Sequence, residues 1–282
     1  MIADVFPSDC ITTSTPNNVK FFFPHNRSLF GNVDSLSKAS PYYKTLFDSG
    51  FAEGSPSTPE QGAAKSNRPT VERGFEESDD DDDEDIMSES TPIPSTASDT
   101  PAAATVPSAD SLDKADSSFR LVNIDAAVYT TYHAVLCYLQ TGHITFAPLH
   151  SSFRLQPDST TLRNAKIAEL HSNPSHPRPA SPKSVYRLAH FLELPELADL
   201  ALANINSQLT KENIAFEVFG DVASIYDEVG KLEMKFAIEN EEFMNSSPAM
   251  EEVAKLIETG DSRPFAIMSY KLMRMKAERK VV

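Results

Sequence analysis

A long acidic segment without any folding pattern interrupts this chain. Residues 53–118 contain 17 acidic and 4 basic residues, a net charge of −13, together with seven Pro, twelve Ser and a single aromatic residue. Such a composition cannot bury enough apolar area to offset the backbone entropy lost on ordering. We therefore predict a disordered insert over 53–118, and any globular fold must be built from the sequence on either side of it.

The charge of the remaining chain argues against two classes of partner. Outside 53–118, 24 acidic and 21 basic residues leave a net charge of only −3. Nucleic acids and anionic membranes are bound by clustered Lys and Arg, so neither is an expected partner. The N-terminus lacks the basic and apolar regions of a secretory signal, and Cys10 and Cys137 lie far apart. These features favour a cytoplasmic and/or nuclear protein.

The sequence before the insert predicts strands followed by helices. Residues 1–17 are polar and are expected to form a disordered tail. The aromatic run at 19–23, which Pro24 ends, predicts a strand, and 28–30 predicts a second, very short one. A helical hairpin broken by Pro41 is predicted by apolar residues at spacings of three and four, namely Leu36, Ala39, Tyr43 and Phe47.

After the insert, residues 119–122 predict a third strand. A helix is expected from an N-cap at Asp125 to a stop at Gly142, with a short strand over 143–146. Residues 152–182 contain five Pro and predict a second disordered insert, with at most a helical turn near 162–170.

The C-terminal part is expected to be entirely helical. Five apolar patterns predict helices. They lie at 185–192, from Pro195 onward, at 211–229, from Pro248 onward with Ser247 as the N-cap, and after Asp261. Residues 231–245 predict a further, highly charged helix. The predicted fold class is therefore α+β, with a small sheet of short strands covered by helices, two disordered inserts and an all-helical C-terminal extension.

Three blocks of sequence follow one another in the order of a known family. The first is VKFFF at 19–23 followed by LSKASPYYKTLFDSGFAE at 36–53, the second is YLQTGHI at 138–144, and the third is VYRLAHFLELPEL at 185–197. They resemble the BTB/POZ domain, especially the BTB-domain proteins expanded in mushroom-forming fungi, whose signature is a β-strand, then "Leu-x-x-x-Ser-x-x-Phe-x-x-Met/Leu-Phe" with an acidic "Phe-x-Glu", then "Tyr-x-Tyr-Thr-Gly-x-Ile", then a closing helix pair. The departures are Tyr43 for Phe, Gln140 for the second Tyr, Asn18 for Asp, and the two long inserts.

The resemblance implies a BTB/POZ-like domain over 18–205, followed by a helical extension over 206–282. Such domains usually form homodimers through the first strand and first helix, or pair with another BTB protein. The residues that this implies for the dimer interface are Phe22, Leu29, Phe30 and Leu36. The residues themselves leave a second interpretation open, in which all four belong to the core of the chain.

In relatives, a second surface of the domain engages a cullin scaffold, which makes the protein a substrate adaptor of a ubiquitin ligase. The residues that would form this partner surface are Gln140, Thr141, His143 and Ile144, together with the 211–229 helix. The sequence contains no separate propeller or zinc-finger module, so substrate capture would use the inserts or residues 231–282.

No catalytic, cofactor-binding or metal-binding motif is found in the sequence. Gly-x-Gly-x-x-Gly, Walker, Gly-x-Ser-x-Gly and Cys-x-x-Cys patterns are all missing. We therefore expect no enzyme activity, no cofactor, no metal and no small-molecule substrate; an enzyme of unrecognised type is the least supported hypothesis.

The acidic run at 79–85 has three interpretations. It can be a solubilising disordered loop, a docking tract for a basic partner, or a regulated segment, since Ser78 precedes Asp79, Asp80 and Asp81 in the pattern that acidophilic kinases favour. The docking interpretation underlies the alternative function, a transcription- or chromatin-associated regulator that binds basic partners.

Overall fold

The structure is a computed structural model, and it describes residues 17–24, 27–49, 120–124, 127–173, 176–259 and 263–279. The predicted tail, the acidic insert and Ser78 lie outside the described residues, apart from Asn17. The described chain is mixed α+β, mostly helical with one three-stranded sheet, as expected.

Three short strands form the sheet in the order β2-β1-β3: β1 (Asn18–Phe23), β2 (Arg27–Asn32) and β3 (Arg120–Asn123). The central strand β1 pairs antiparallel with β2 and parallel with β3. Its side chains alternate, so Val19, Phe21 and Phe23 are buried on one face. The strands predicted at 19–23, 28–30 and 119–122 are confirmed.

The predicted helical hairpin is also confirmed, as α1 (Val33–Ala39) and α2 (Pro41–Asp48). The Asn32 side chain accepts a hydrogen bond from the backbone N–H of Ser35 at 3.0 Å and caps α1. Ser40 caps α2 by accepting from the backbone N–H of Tyr43 at 3.2 Å, and Pro41 then begins the helix. Two caps separated by the seven residues of α1 explain why the segment forms two short helices.

Helix α3 (Tyr129–Thr141) follows the sheet. It ends at Gly142, whose φ of 70° is the left-handed conformation that glycine tolerates at a helix end, as predicted. Its N-cap is Val128, so the expected cap at Asp125 is wrong, and Asp125 itself lies outside the described residues. The strand expected at 143–146 is reduced to one bridge between Phe146 and Ala180.

The prediction of a disordered insert over 152–182 is wrong at 159–170, which forms a full helix where at most a helical turn was expected. A short 3₁₀ helix (His150–Ser152) leads to α4 (Ser159–Leu170), on which Arg163 and Ile167 are buried. The Arg163 guanidinium donates to the carbonyl oxygen of Pro148 at 3.0 Å. The prolines lie at 157, 174, 177, 179 and 182, and therefore flank the helix without interrupting it.

The remaining helices are α5 (Pro182–Phe191), α6 (Pro195–Gln208), α7 (Ile214–Val218), α8 (Asp221–Ile225), α9 (Asp227–Glu239), α10 (Glu241–Asn245), α11 (Pro248–Thr259) and α12 (Arg263–Arg279). The single helix expected over 211–229 is wrong, because the chain breaks at Gly220 and again at Tyr226. The predicted start of α11 is confirmed, since the Ser247 hydroxyl accepts from the backbone N–H of Met250.

The buried apolar residues form two cores. The first core joins the sheet, α1–α3, α5 and α6, and also takes in Val222 and Val229 from α8 and α9. The second core runs from Leu209 to Leu272 and lies between the C-terminal helices. The division of the chain into a domain over 18–205 and an extension over 206–282 stays a prediction, since the first core extends to Val229.

Candidate interaction surfaces

The face of the sheet that points away from the first core carries a small apolar cluster. Lys20 pairs with Phe30 of β2 and with Leu121 of β3 in the strand register, so all three side chains share this face with Phe22. We call Lys20, Phe22, Phe30 and Leu121 the sheet face. All four side chains are half-buried in the single chain.

Lys20 holds the aromatic part of the sheet face together. Its Nζ lies 4.5 Å from the ring centroid of Phe22 and 5.4 Å from that of Phe30. An ammonium at these distances is attracted to the negative face of each ring. The sheet face therefore combines apolar rings with one central cation.

Two of the four residues proposed for the dimer interface lie inside the chain instead. Leu29 is 2 % exposed and Leu36 is 4 % exposed, and both belong to the first core. A Cβ added to Gly31 would lie only 2.8 Å from Cδ1 of Leu36, so Leu36 packs directly against that backbone. These two positions fit the core interpretation, whereas Phe22 and Phe30 remain candidates for an interface.

The residues of the proposed partner surface lie at the end of α3, which holds Gln140 and Thr141, and in the turn that follows it. Gln140, Thr141 and His143 are exposed, whereas Ile144 packs partly against the first core. The Thr141 hydroxyl donates to the carbonyl oxygen of Cys137 at 2.8 Å and accepts from the backbone N–H of His143 at 3.2 Å. The turn is thus held by its own hydrogen bonds and presents polar side chains to solvent.

The 211–229 segment offers little surface for a partner. All five residues of α7 are buried, and Val222 and Ala223 of α8 are buried too. Its exposed apolar side chain is Ile225, at 58 % exposure. This part of the predicted partner surface is therefore mostly internal.

A groove of about 930 Å³ lies between the α1–α2 hairpin and the start of β3. Its lining mixes acidic and basic groups, including Asp34, Lys38, Lys44, Asp48 and Arg120. Arg120 donates to the carbonyl oxygen of Phe47 at 2.8 Å and so joins β3 to α2. Neither sign of charge dominates, so the groove has no evident ligand chemistry.

Sequence analysis missed a buried acidic cluster, which consists of Lys183, Glu217 and Glu233. Lys183 Nζ lies 3.3 Å from Glu217 Oε2, and the two side chains are 13 % and 1 % exposed. Glu233 is 1 % exposed, and none of the four carboxylate oxygens has a hydrogen-bond partner. Burial, followed by the charge of Glu217, raises the pKa of Glu233 well above its usual value, while Lys183 lowers it.

The described residues contain no group of three or more His, Cys, Asp or Glu arranged to hold a metal ion. His133 is largely buried on α3, and this burial, together with the nearby Arg27, lowers its pKa.

None of the helices in the described part of the chain combines the length and the hydropathy needed to cross a membrane.

No family model matches the sequence, and no curated protein matches it significantly.

Proposed function

We propose that this protein is a non-enzymatic protein–protein interaction module of the BTB/POZ type, acting in the cytoplasm or nucleus. The observation that carries the proposal is that the three sequence blocks of the resemblance meet in one core. The Ser40 hydroxyl, from the first block, donates to the carbonyl oxygen of Leu192 in the third at 2.6 Å. The hydroxyls of Tyr43 and Tyr132 lie 2.6 Å apart and join the first block to the helix that ends in the second.

The motif residues have structural tasks that account for their spacing. Leu36, Tyr43 and Phe47 are buried on the same side of the hairpin, and Ser40 both caps α2 and tethers it to α5. The third block contributes a continuous buried set, namely Val185, Leu188, Ala189, Leu192, Leu194 and Leu197. This agreement between motif and packing supports a domain of this type.

Homodimerisation through the sheet face is the first activity that we propose. Strand β1 is apolar on both faces at Phe21, Phe22 and Phe23, a pattern that is typical of a strand covered on both sides. Helices of the same chain cover Phe21 and Phe23, whereas Phe22 stays half-buried on the sheet face. A second copy of the chain would complete that cover.

The test is the molar mass of the full chain by light scattering. We expect a dimer at tens of micromolar, since obligate interfaces hold well below that concentration. Phe22→Glu should convert it to a monomer with an unchanged circular dichroism spectrum. The matched control is Leu200→Glu, which adds the same charge to a 46 % exposed apolar residue on α6 and should leave the dimer intact.

A monomeric wild-type chain at tens of micromolar would reject the dimer, and dissociation by both variants would reject the sheet face as its site.

The second activity that we propose is that of an adaptor, in which a cullin scaffold is bound at the turn after α3. The exposed side chains of Gln140 and His143 support this choice of surface. In affinity purification from the native source, the wild-type chain should recover a cullin. Gln140→Glu combined with His143→Glu should lose it, while the control Asn206→Glu, at an exposed position on α6, should retain it.

A regulator of chromatin is the second candidate function, because nine of the ten residues at 76–85 are acidic. This function predicts salt-sensitive binding to histones that disappears when residues 76–89 are deleted. Unchanged histone binding after the deletion would reject it. The same purification, carried out with and without the acidic run, separates the two candidates by the partner that is recovered.

A further inference from the structure

The buried acidic cluster lies where the two cores meet. Lys183 is on α5, whose apolar side chains belong to the first core. Glu217 is on α7 and Glu233 is on α9, and both helices supply the second core with apolar residues. The ion pair between Lys183 and Glu217 therefore crosses from one core to the other.

The number of charges in the cluster does not balance. Lys183 supplies one positive charge at 3.3 Å from Glu217, and the second carboxyl, on Glu233, is equally buried. If both acids were ionised, one negative charge would be left without compensation in a site from which water is excluded. A buried, uncompensated carboxylate is strongly disfavoured, and such a group takes up a proton instead.

The ion pair with Lys183 identifies the acid that carries the proton. Both carboxyls lack hydrogen-bond partners, but no basic side chain forms an ion pair with Glu233 among the described residues. Glu217, in contrast, has the Lys183 ammonium beside it. The Glu217–Lys183 pair can remain charged, and the cluster is neutral overall when Glu233 is protonated.

The charged groups that act on Glu233 come from two other helices. They are Glu217 of α7, which opposes its ionisation, and Lys183 of α5, which favours it less strongly. Arg187, buried one turn beyond Lys183 on α5, has an interaction of its own. On α9 itself, Lys231 and Lys235 are exposed to solvent.

We propose that Lys183, Glu217 and Glu233 form a proton-dependent lock between the two cores. Glu233 is held as a neutral acid in the closed packing, and its ionisation at rising pH loosens α7 and α9 from α5. The lock is independent of the proposed function, because it requires only that the two cores remain packed together.

The sign of the pH dependence follows from the direction of the shift. The pKa of Glu233 is raised above its ordinary value of 4.5 in the folded state, so folding favours the protonated form. The stability from this group is fully present below that ordinary value. It is lost as the pH rises through the folded pKa.

The test compares the Tm of the full chain and of Glu233→Gln between pH 5 and pH 8. Gln has the shape of the neutral acid and cannot ionise. The Tm of the variant should exceed that of the wild type by a margin that grows with pH and reaches at least about 2 °C at pH 8. The matched control is Glu242→Gln on α10, whose carboxyl is exposed and whose Tm should follow the wild type.

Two further measurements separate a lock from general destabilisation. Hydrogen exchange at pH 8 should slow in α7 and α9 of Glu233→Gln relative to the wild type, and remain equal in β1 and α3. Infrared spectra of the wild type at pH 7 should contain a buried carboxylic acid band that the variant lacks. A variant that is less stable at every pH or fails to fold, or a wild type without the band, would overturn the lock.

Discussion

The two cores differ in how they satisfy their buried polar groups. In the first core, the Tyr43 and Tyr132 hydroxyls bond each other at 2.6 Å, and the Ser40 hydroxyl bonds the Leu192 carbonyl. At the edge of the second core, the carboxyls of Glu217 and Glu233 have no hydrogen-bond partner. The first core therefore contains neutral groups that are hydrogen-bonded to one another, and the second borders on acids that lack hydrogen bonds.

This difference determines how each core responds to pH. Burial raises the pKa of both Tyr43 and Tyr132 above the ordinary value of 10, so both tyrosines stay neutral across the physiological range. Burial, followed by the charge of Glu217, also raises the pKa of Glu233 well above its ordinary value of 4.5. Changes of pH near neutrality should therefore act on the C-terminal helices and leave the sheet and its covering helices unaffected.

The largest expected loss of stability is that of Phe21→Ala in the first core. Its ring is fully buried and lies 5.1 Å from that of Tyr132 and 6.0 Å from that of Tyr43. Phe21→Ala should lower the free energy of unfolding by about 3–5 kcal/mol, because a cavity replaces a large ring. Urea denaturation measures the loss. Phe22→Ala, one residue along on the sheet face, should cost far less, and equal losses would contradict the assignment of faces.

The next prediction concerns the stability of Gly230→Ala, which tests how closely α8 and α9 pack beside the second core. A Cβ at this position would lie 2.5 Å from the carbonyl oxygen of Ala223, so α9 can approach α8 only without a side chain there. Alanine gains about 1 kcal/mol in helix propensity. The clash should outweigh this gain and leave a net loss of about 1–2 kcal/mol.

The control for Gly230→Ala is Lys231→Ala, at an exposed position in the same helix, where the change should stay within about 0.5 kcal/mol. A stabilised Gly230→Ala would mean that α8 and α9 can separate without cost.

A double-mutant cycle measures the coupling between the two tyrosine hydroxyls that pair in the first core. Tyr43→Phe leaves the Tyr132 hydroxyl buried without its partner and should cost about 1–3 kcal/mol in the free energy of unfolding. Adding Tyr132→Phe removes the orphaned group, so the double variant should cost less than the sum of the single variants. Strict additivity would show that the hydroxyls do not interact.

The smallest effect comes from an exposed ion pair on the outside of the second core. Lys271 Nζ lies 2.8 Å from Asp227 Oδ1, and its hydrogen bond and charge lower the pKa of Asp227 from 3.8. Any stability from this pair is present above 3.8 and is lost as the pH falls, opposite to Glu233.

Lys271→Gln should return the pKa of Asp227 toward its ordinary value with little change in Tm, since solvent screens exposed pairs. Nuclear magnetic resonance titration of the Asp227 carboxyl measures the shift. Lys255→Gln, which removes an exposed cation paired with Glu252, should leave the Asp227 titration unchanged.

Local signals were sufficient for the elements of the first core. The strand at 19–23 and the helix stop at Gly142 depend on signals within a few residues, and each is found where it was predicted. The caps at Asn32 and Ser40 are equally local signals, but the cap at Ser40 was not part of the prediction. The sheet face was predicted in part, because side chains alternate along a strand and Phe22 therefore points away from Phe21 and Phe23. The sequence alone could not show that Leu29 and Leu36 point into the core.

The errors arose where tertiary packing decides the outcome. Helix α4 was expected as no more than a helical turn, because the five prolines of 152–182 were counted without regard to their positions. All five lie outside the stretch that forms the helix. The 211–229 segment kept its apolar period across the break at Gly220, so periodicity alone suggested one helix. The cluster around Glu233 joins three helices, and a charged residue in a charged segment is normally predicted to be exposed.

The parallel pairing of β1 with β3 has a consequence for the synthesis of the chain. Phe22 and its partner Asn123 are separated by about 100 residues, which a ribosome adds in about 5–20 s. During that interval one edge of β1 has no strand beside it, and open edges invite pairing with other chains. The residues synthesised meanwhile include the acidic run at 76–85, whose like charges oppose association between chains.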